Sequence, residues 1–142
     1  MLSNMRGGAA EAFDSGERYG VIPRAIEVYQ VHHLPMVKAY ADKRGVVEVI
    51  NQLVPTEMVV EPGTLVLGLV LDTLSGRSPL YRLEAFFAHH DTELLLGKAV
   101  PAPAFTDDTV GRVLDRLYEV GTMKLFTAWA VRADQVFGLD KR

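Results

Sequence analysis

The side chains in this chain that could do chemistry are few, and their spacing limits them further. His32 with His33 and His89 with His90 stand as adjacent pairs. Imidazole is a common metal ligand, but neighbours on a helix point about 100° apart, whereas helical ligand pairs sit three or four residues apart. The pairs therefore read as polar surface or helix-end residues, and no metal is expected. Asp107 and Asp108, with Asp72, could be imagined as a carboxylate cluster for magnesium. Capping of a helix accounts for the first two more simply. Asp72, on a mostly apolar stretch, reads as a hydrogen-bonded core or rim group with Arg77 as its candidate partner. Ser75 and Ser78 have no G-x-S-x-G elbow around them, and the glycines form neither G-x-x-x-x-G-K nor G-x-G-x-x-G. No catalytic residue, nucleotide site or cofactor is expected, so an enzyme reading fails on inventory.

The remaining chemistry is that of cations facing phosphate. Arg112 and Arg116 stand four apart on one helix face and, with Lys124 and Arg132, make the best basic cluster. A solvated pair of Asp108 with Arg112 at i, i+4 competes with that role. A second nucleic-acid reading starts from Ala41-x-x-x-Gly45, which fits a helix-turn-helix corner. The helix after it offers Glu48, Asn51 and Gln52; the two amides can read adenine, while Glu48 would repel phosphate. The overall balance does not favour DNA. The 142 residues carry 15 Lys/Arg against 18 Asp/Glu, and only residues 122–142 hold more basic than acidic side chains. No basic stripe is advertised.

The elements that position these residues are helices. The stretch FTDDTVGRVLDRLYEVG holds a start signal, a period and a stop signal. Thr106 or Asp107 can cap its first turn, Val110, Val113, Leu114, Leu117 and Tyr118 follow helical spacing, and Gly121 favours a stop, with Thr122 placed to cap the next helix. This helix is expected to be the keystone, and Gly111 within it to mark a close backbone approach. The last helix is expected to bury Leu125, Phe126, Trp129, Ala130, Ala133, Val136 and Phe137. Upstream, His33 or Leu34 opens a helix with Pro35 in its first turn that Gly45 ends, and Val46 to Val54 form a second, stopped by Pro55. Pro62 to about Ser75 is apolar nearly all round, hence central, and Gly76 can close it. Ser78 and Pro79 start another helix with Leu80, Leu83 and Phe87 inward, and a short one follows at Thr92 to Leu96. The run at 26–31 could pair as a minor two-stranded element with 58–61. The fold expected is all-α, a single compact domain of about seven helices over residues 21–142, behind a flexible tail at 1–20.

Composition agrees with an ordinary globular domain, at 49% hydrophobic and 23% charged residues. There is no cysteine, which excludes disulfides and fits a reducing compartment. The first residues carry no apolar h-region, and no apolar run approaches the roughly 20 residues of a membrane span. A cytoplasmic protein without membrane contact is expected.

Three segments, LPMVKAYADKRGVVEVINQLVP, LVLGLVLDTLSGRSPLYRLEAFF and FTDDTVGRVLDRLYEVGTMKLF, together resemble the N-terminal domain of bacterial insertion-sequence transposases. The resemblance spans roughly residues 26–138. Its most specific parts are D-D-x-x-G-R-x-L-D-x-L-Y-E-x-G, with Asp107, Asp108, Gly111 and Gly121, and the loop G-R-S-P-L-Y, with Gly76, Arg77 and Pro79. In that family the domain, of undefined role, precedes a ribonuclease-H-like domain with a DDE carboxylate triad. The first of those aspartates lies on a strand beyond this domain, so the resemblance transfers no catalytic residue. It implies either an excised domain or the product of an interrupted transposase gene. The function it implies is recognition of, or assembly on, the element's terminal inverted repeats. The alternative is a protein-interaction module that forms a homo-oligomer or docks on a catalytic domain without touching DNA.

Overall fold

The computed structural model describes residues 28–76 and 79–138. Among them run seven α-helices: α1 (Leu34–Lys43), α2 (Val46–Leu53), α3 (Pro62–Ser75), α4 (Leu83–Ala88), α5 (Thr92–Leu96), α6 (Asp107–Val120) and α7 (Thr122–Phe137). Short 3-10 turns at Leu80–Arg82 and Ala102–Phe105 lead into α4 and α6. The all-α expectation holds. No strand forms among the described residues; 28–31 and 58–61 lack ladder partners, while Ile26 and Glu27, like the tail at 1–20, lie outside them.

The centre of the molecule is α3. Its Leu65, Leu67 and Leu71 are fully buried, and α1, α2, α4, α5 and α6 all pack against it. Two glycines let neighbours come this close. A Cβ on Gly63 would stand 2.3 Å from the Val47 carbonyl oxygen, so the backbone of α2 rests directly on the start of α3. A Cβ on Gly68 would meet the rings of Phe87 and Phe105 at 3.0 to 3.1 Å, and those rings stack on each other with centroids 4.1 Å apart. The keystone is therefore α3 rather than α6, because α6 contributes one buried stripe, Val110 and Val113, while α3 is covered on nearly every side.

Helix edges follow the local chemistry. Pro62 lies in the first turn of α3, and Gly76 at φ 143° ends it. Thr106 is the cap of α6, its hydroxyl accepting from the Thr109 N–H at 3.3 Å. Asp107 is already the first helical residue, and its carboxylate accepts from the Asp108 N–H. Gly121, at φ 89°, joins α6 to α7, and Thr122 is the first residue of α7 rather than its side-chain cap.

Three expectations are corrected. Gly111 has nothing within 4 Å of where a Cβ would sit, so no backbone approaches it. Leu80 is exposed, because it belongs to the 3-10 turn before α4, while Leu83 and Phe87 point inward. Of α7 only Leu125 is buried; Trp129, Ala133, Val136 and Phe137 are half-buried, and Phe126 and Ala130 are exposed. The cause is geometric. With α7 packed chiefly on α2 and α6, one stripe of it is covered and the rest faces outward.

Candidate interaction surface

The flank of α7 that turns toward α2 forms a groove of about 1030 Å³. Val49 and Leu53 supply one wall, Val120 and Val131 the other, and Glu48, Gln52, Lys124 and Arg132 stand on its rim. Gly45, left-handed at φ 62°, turns α1 into α2, the helix that carries one wall of the groove. Arg132 leans against that turn, its Nε 3.2 Å from where a Gly45 Cβ would be. At the same corner Lys43 and Arg44 lie over the Phe137 ring, at 4.9 and 5.5 Å from its centroid. Three cations thus gather where the ends of α1 and α7 meet. The sequence pointed to Arg132 alone among them, because cation–π partners at opposite ends of the chain leave no spacing signal.

Arg112 and Arg116 are elsewhere, in a groove with the 55–60 loop and Pro101, Pro103 and Ala104. Each has an anionic neighbour: Asp108 lies 2.7 Å from Arg112, and Glu119 lies 3.3 Å from Arg116. The four cations chosen from sequence therefore line two different grooves. Both pairs are exposed and intrahelical, worth a few tenths of a kcal/mol at most, so they occupy the arginines without fixing them.

The helix-turn-helix reading meets a different obstacle. Asn51 is used inside the fold, its Oδ1 accepting from the Gly63 N–H at 2.8 Å and its Nδ2 donating to Glu61 at 3.1 Å. It closes the junction of α2 with α3. Lys98 donates to the same Glu61 carboxylate at 2.7 Å. That hydrogen bond and the positive charge behind it hold the Glu61 carboxyl below its ordinary range, with Asn51 adding to the effect. Glu48 and Gln52 remain exposed, on the groove rim.

All four histidines of the chain line one shallow cavity of about 810 Å³, where α3 and α4 both end. His33 Nε2 bonds the Leu74 carbonyl at 2.9 Å; His90 Nδ1 bonds the Phe86 carbonyl at 2.7 Å, and its ring stacks on Phe86. Separated by more than fifty residues in the sequence, the two pairs carry no local signal of this meeting. Among the described residues no group of three or more His, Asp or Glu is placed to hold a metal ion. The rings instead cover the carbonyl ends of two helices. Asp72 is buried at 4% exposure and is not without a partner, while Arg77 lies outside the described residues. Asp107 and Asp108 serve the start of α6. Gly76 ends α3 and Pro79 precedes the turn before α4, while Ser78, expected to cap a helix there, lies outside the described residues.

No helix among the described residues is long and apolar enough to cross a membrane. Residues 26–131 match the family model of a domain of unknown function, DUF4277. No curated protein and no solved structure matches the chain.

Proposed function

The chain belongs to the DUF4277 family, and on that premise we propose that it is a non-catalytic helical domain of a DDE-type insertion-sequence transposase whose task is assembly. Its groove between α2 and α7 takes an apolar helix of the transposase's catalytic part. The observation that carries this reading is the groove itself. It has an apolar floor, and among the charged residues lining it Lys124 and Arg132 outnumber Glu48, which suits an amphipathic helix with acidic flanks. Arg112 and Arg116, the cations a DNA reading would need first, already have carboxylate neighbours.

A second reading has its own support in Lys43, Arg44 and Arg132 around Gly45. Those three would meet phosphates of the element's terminal repeats as the catalytic part engages them. Calorimetric titration of the parent and of Val131→Glu with the ribonuclease-H-like domain of a transposase bearing this domain separates the two. Binding that falls at least tenfold in Val131→Glu is the expected result. If the catalytic domain does not bind, while inverted-repeat duplex is preferred over scrambled duplex and Lys43→Ala and Arg132→Ala each lower the salt slope by roughly 1, the DNA reading replaces docking. The parent is expected to cut and join nothing.

A further inference from the structure

An exposed stripe of α1 ends at the corner where Lys43, Arg44 and Arg132 gather. Tyr40 stands three and four residues before Lys43 and Arg44, so at about 100° per residue it lies within about 60° of both on the helix. Its side chain is 62% exposed. The same two cations cover the half-buried Phe137 ring. They are therefore neighbours of two rings, one covered and one open, with Arg132 beside them at the Gly45 turn. Among the described residues none of the three cations has a carboxylate at ion-pair distance. Asp42 is bound to Lys38 on the far side of α1 from Tyr40. Glu48 comes nearest, its Oε2 3.4 Å from the same Gly45 Cβ position that Arg132 approaches, yet it closes no pair. Asp134, in the last turn of α7, is not without a partner of its own.

We infer that this corner binds an unpaired nucleic-acid strand, with a base stacked on Tyr40 and the flanking phosphates on Lys43, Arg44 and Arg132. A nucleotide is a planar ring joined to an anion, and the corner offers an open ring joined to cations. The charges call for an anionic partner, and the ring decides which one. An acidic peptide would satisfy the cations and leave the Tyr40 face without a planar partner. In an intact duplex the base faces are already stacked on their neighbours, so it has phosphates for the cations and nothing for the ring. The inference deepens the DNA reading of the same three cations and rests on it; Tyr40 changes the expected partner from a paired to an unpaired strand. Of the residues that line the α2–α7 groove it uses Arg132 alone. The net charge of −3 works against any polyanion, so the complex is weak and forms at low salt. Three phosphate contacts to a single strand give a slope of about −2 in log affinity against log salt.

Fluorescence anisotropy of labelled oligo-dT, oligo-U and a blunt-ended duplex of the same length, titrated with the full chain at several low salt concentrations, is the test. The parent is expected to bind a single strand about tenfold or more tighter than the duplex, the tighter of the two strands naming DNA or RNA as the source. Tyr40→Leu is expected to weaken that binding by about five- to a hundredfold with an unchanged melt, and Tyr40→Phe, which keeps the ring, to bind like the parent. Lys43→Ala should lower the salt slope by about 0.7. Polyglutamate, an anion without rings, should compete about tenfold or more weakly per charge than oligo-dT. Single-strand binding unchanged in Tyr40→Leu, or polyglutamate that competes as well as oligo-dT, would each overturn the inference. Duplex binding as tight as single-strand binding and indifferent to Tyr40→Leu would overturn it and leave the DNA reading standing, whereas no binding of any nucleic acid would overturn both. Docking in the groove is reported separately, by Val131→Glu.

Discussion

The amide of Asn51 sits between two helices, giving one hydrogen bond and taking another, and it is the acceptor for an N–H in the first turn of α3. That turn has few partners of its own, since Glu61, the residue before α3, does not cap it with its side chain. Asn51→Ala is therefore expected to lower stability by about 1–3 kcal/mol, the cost of leaving a partly buried N–H unpaired. A urea titration would show a lower midpoint at unchanged slope; an unchanged midpoint would return Asn51 to the surface role its sequence context suggests. Glu61, the other partner, has its folded pKa depressed by Lys98. A depressed carboxyl contributes stability that is present above its unfolded value near 4.5 and is lost as pH falls through the lower folded value. Lys98→Met should remove that contribution. The parent's melting temperature minus the variant's is then expected to be small and positive at neutral pH and to shrink below pH about 4.5. A difference that grows on acidification would contradict it.

Among the elements, α6 and α3 have edges that were legible in the sequence, because Thr106, Gly121, Pro62 and Gly76 act through local backbone geometry. Thr106→Ala is expected to cost about 1 kcal/mol, and Asp107→Ala less, since the threonine is the cap. Glycines inside helices were not legible in the same way. Gly63 and Gly111 look alike in sequence, yet only Gly63 has another backbone against it. Gly111→Ala should stabilise by about 0.5–1 kcal/mol through the unfolded chain and the helix propensity, whereas Gly63→Ala should prevent α2 from seating on α3. Thermal melts of the two variants should move in opposite directions, and a drop for Gly111→Ala would mean that α6 packs on something in solution. The stripes of α7 were misassigned for a related reason. Apolar period tells which faces a helix can bury, and the fold alone tells how many neighbours the chain supplies to bury them. The histidine cavity was hidden because it needs α3 and α4 to end side by side, which no local spacing encodes.

At the scale of the whole molecule, protection should follow the packing. Amide exchange is expected to be slowest in α3, near the limit of global unfolding, and faster in α7, where one residue is buried. Equal protection of both helices in dilute protein would show that α7 is tied down by more than this fold provides. The all-round burial of α3 also has a consequence in time. Its leucines are covered partly by α1 and α2, which are synthesised before it, and partly by Phe105, Val110 and Val113, which come after. A chain stopped at Gly97 should therefore aggregate where the full chain does not, and a monomeric, well-dispersed truncation would refute this. On the ribosome, the 16 residues from Lys98 to Val113 take roughly 1 to 3 s to add at about 5–20 residues per second. For those seconds the nascent protein presents a row of bare leucines to whatever chaperone stands at the exit.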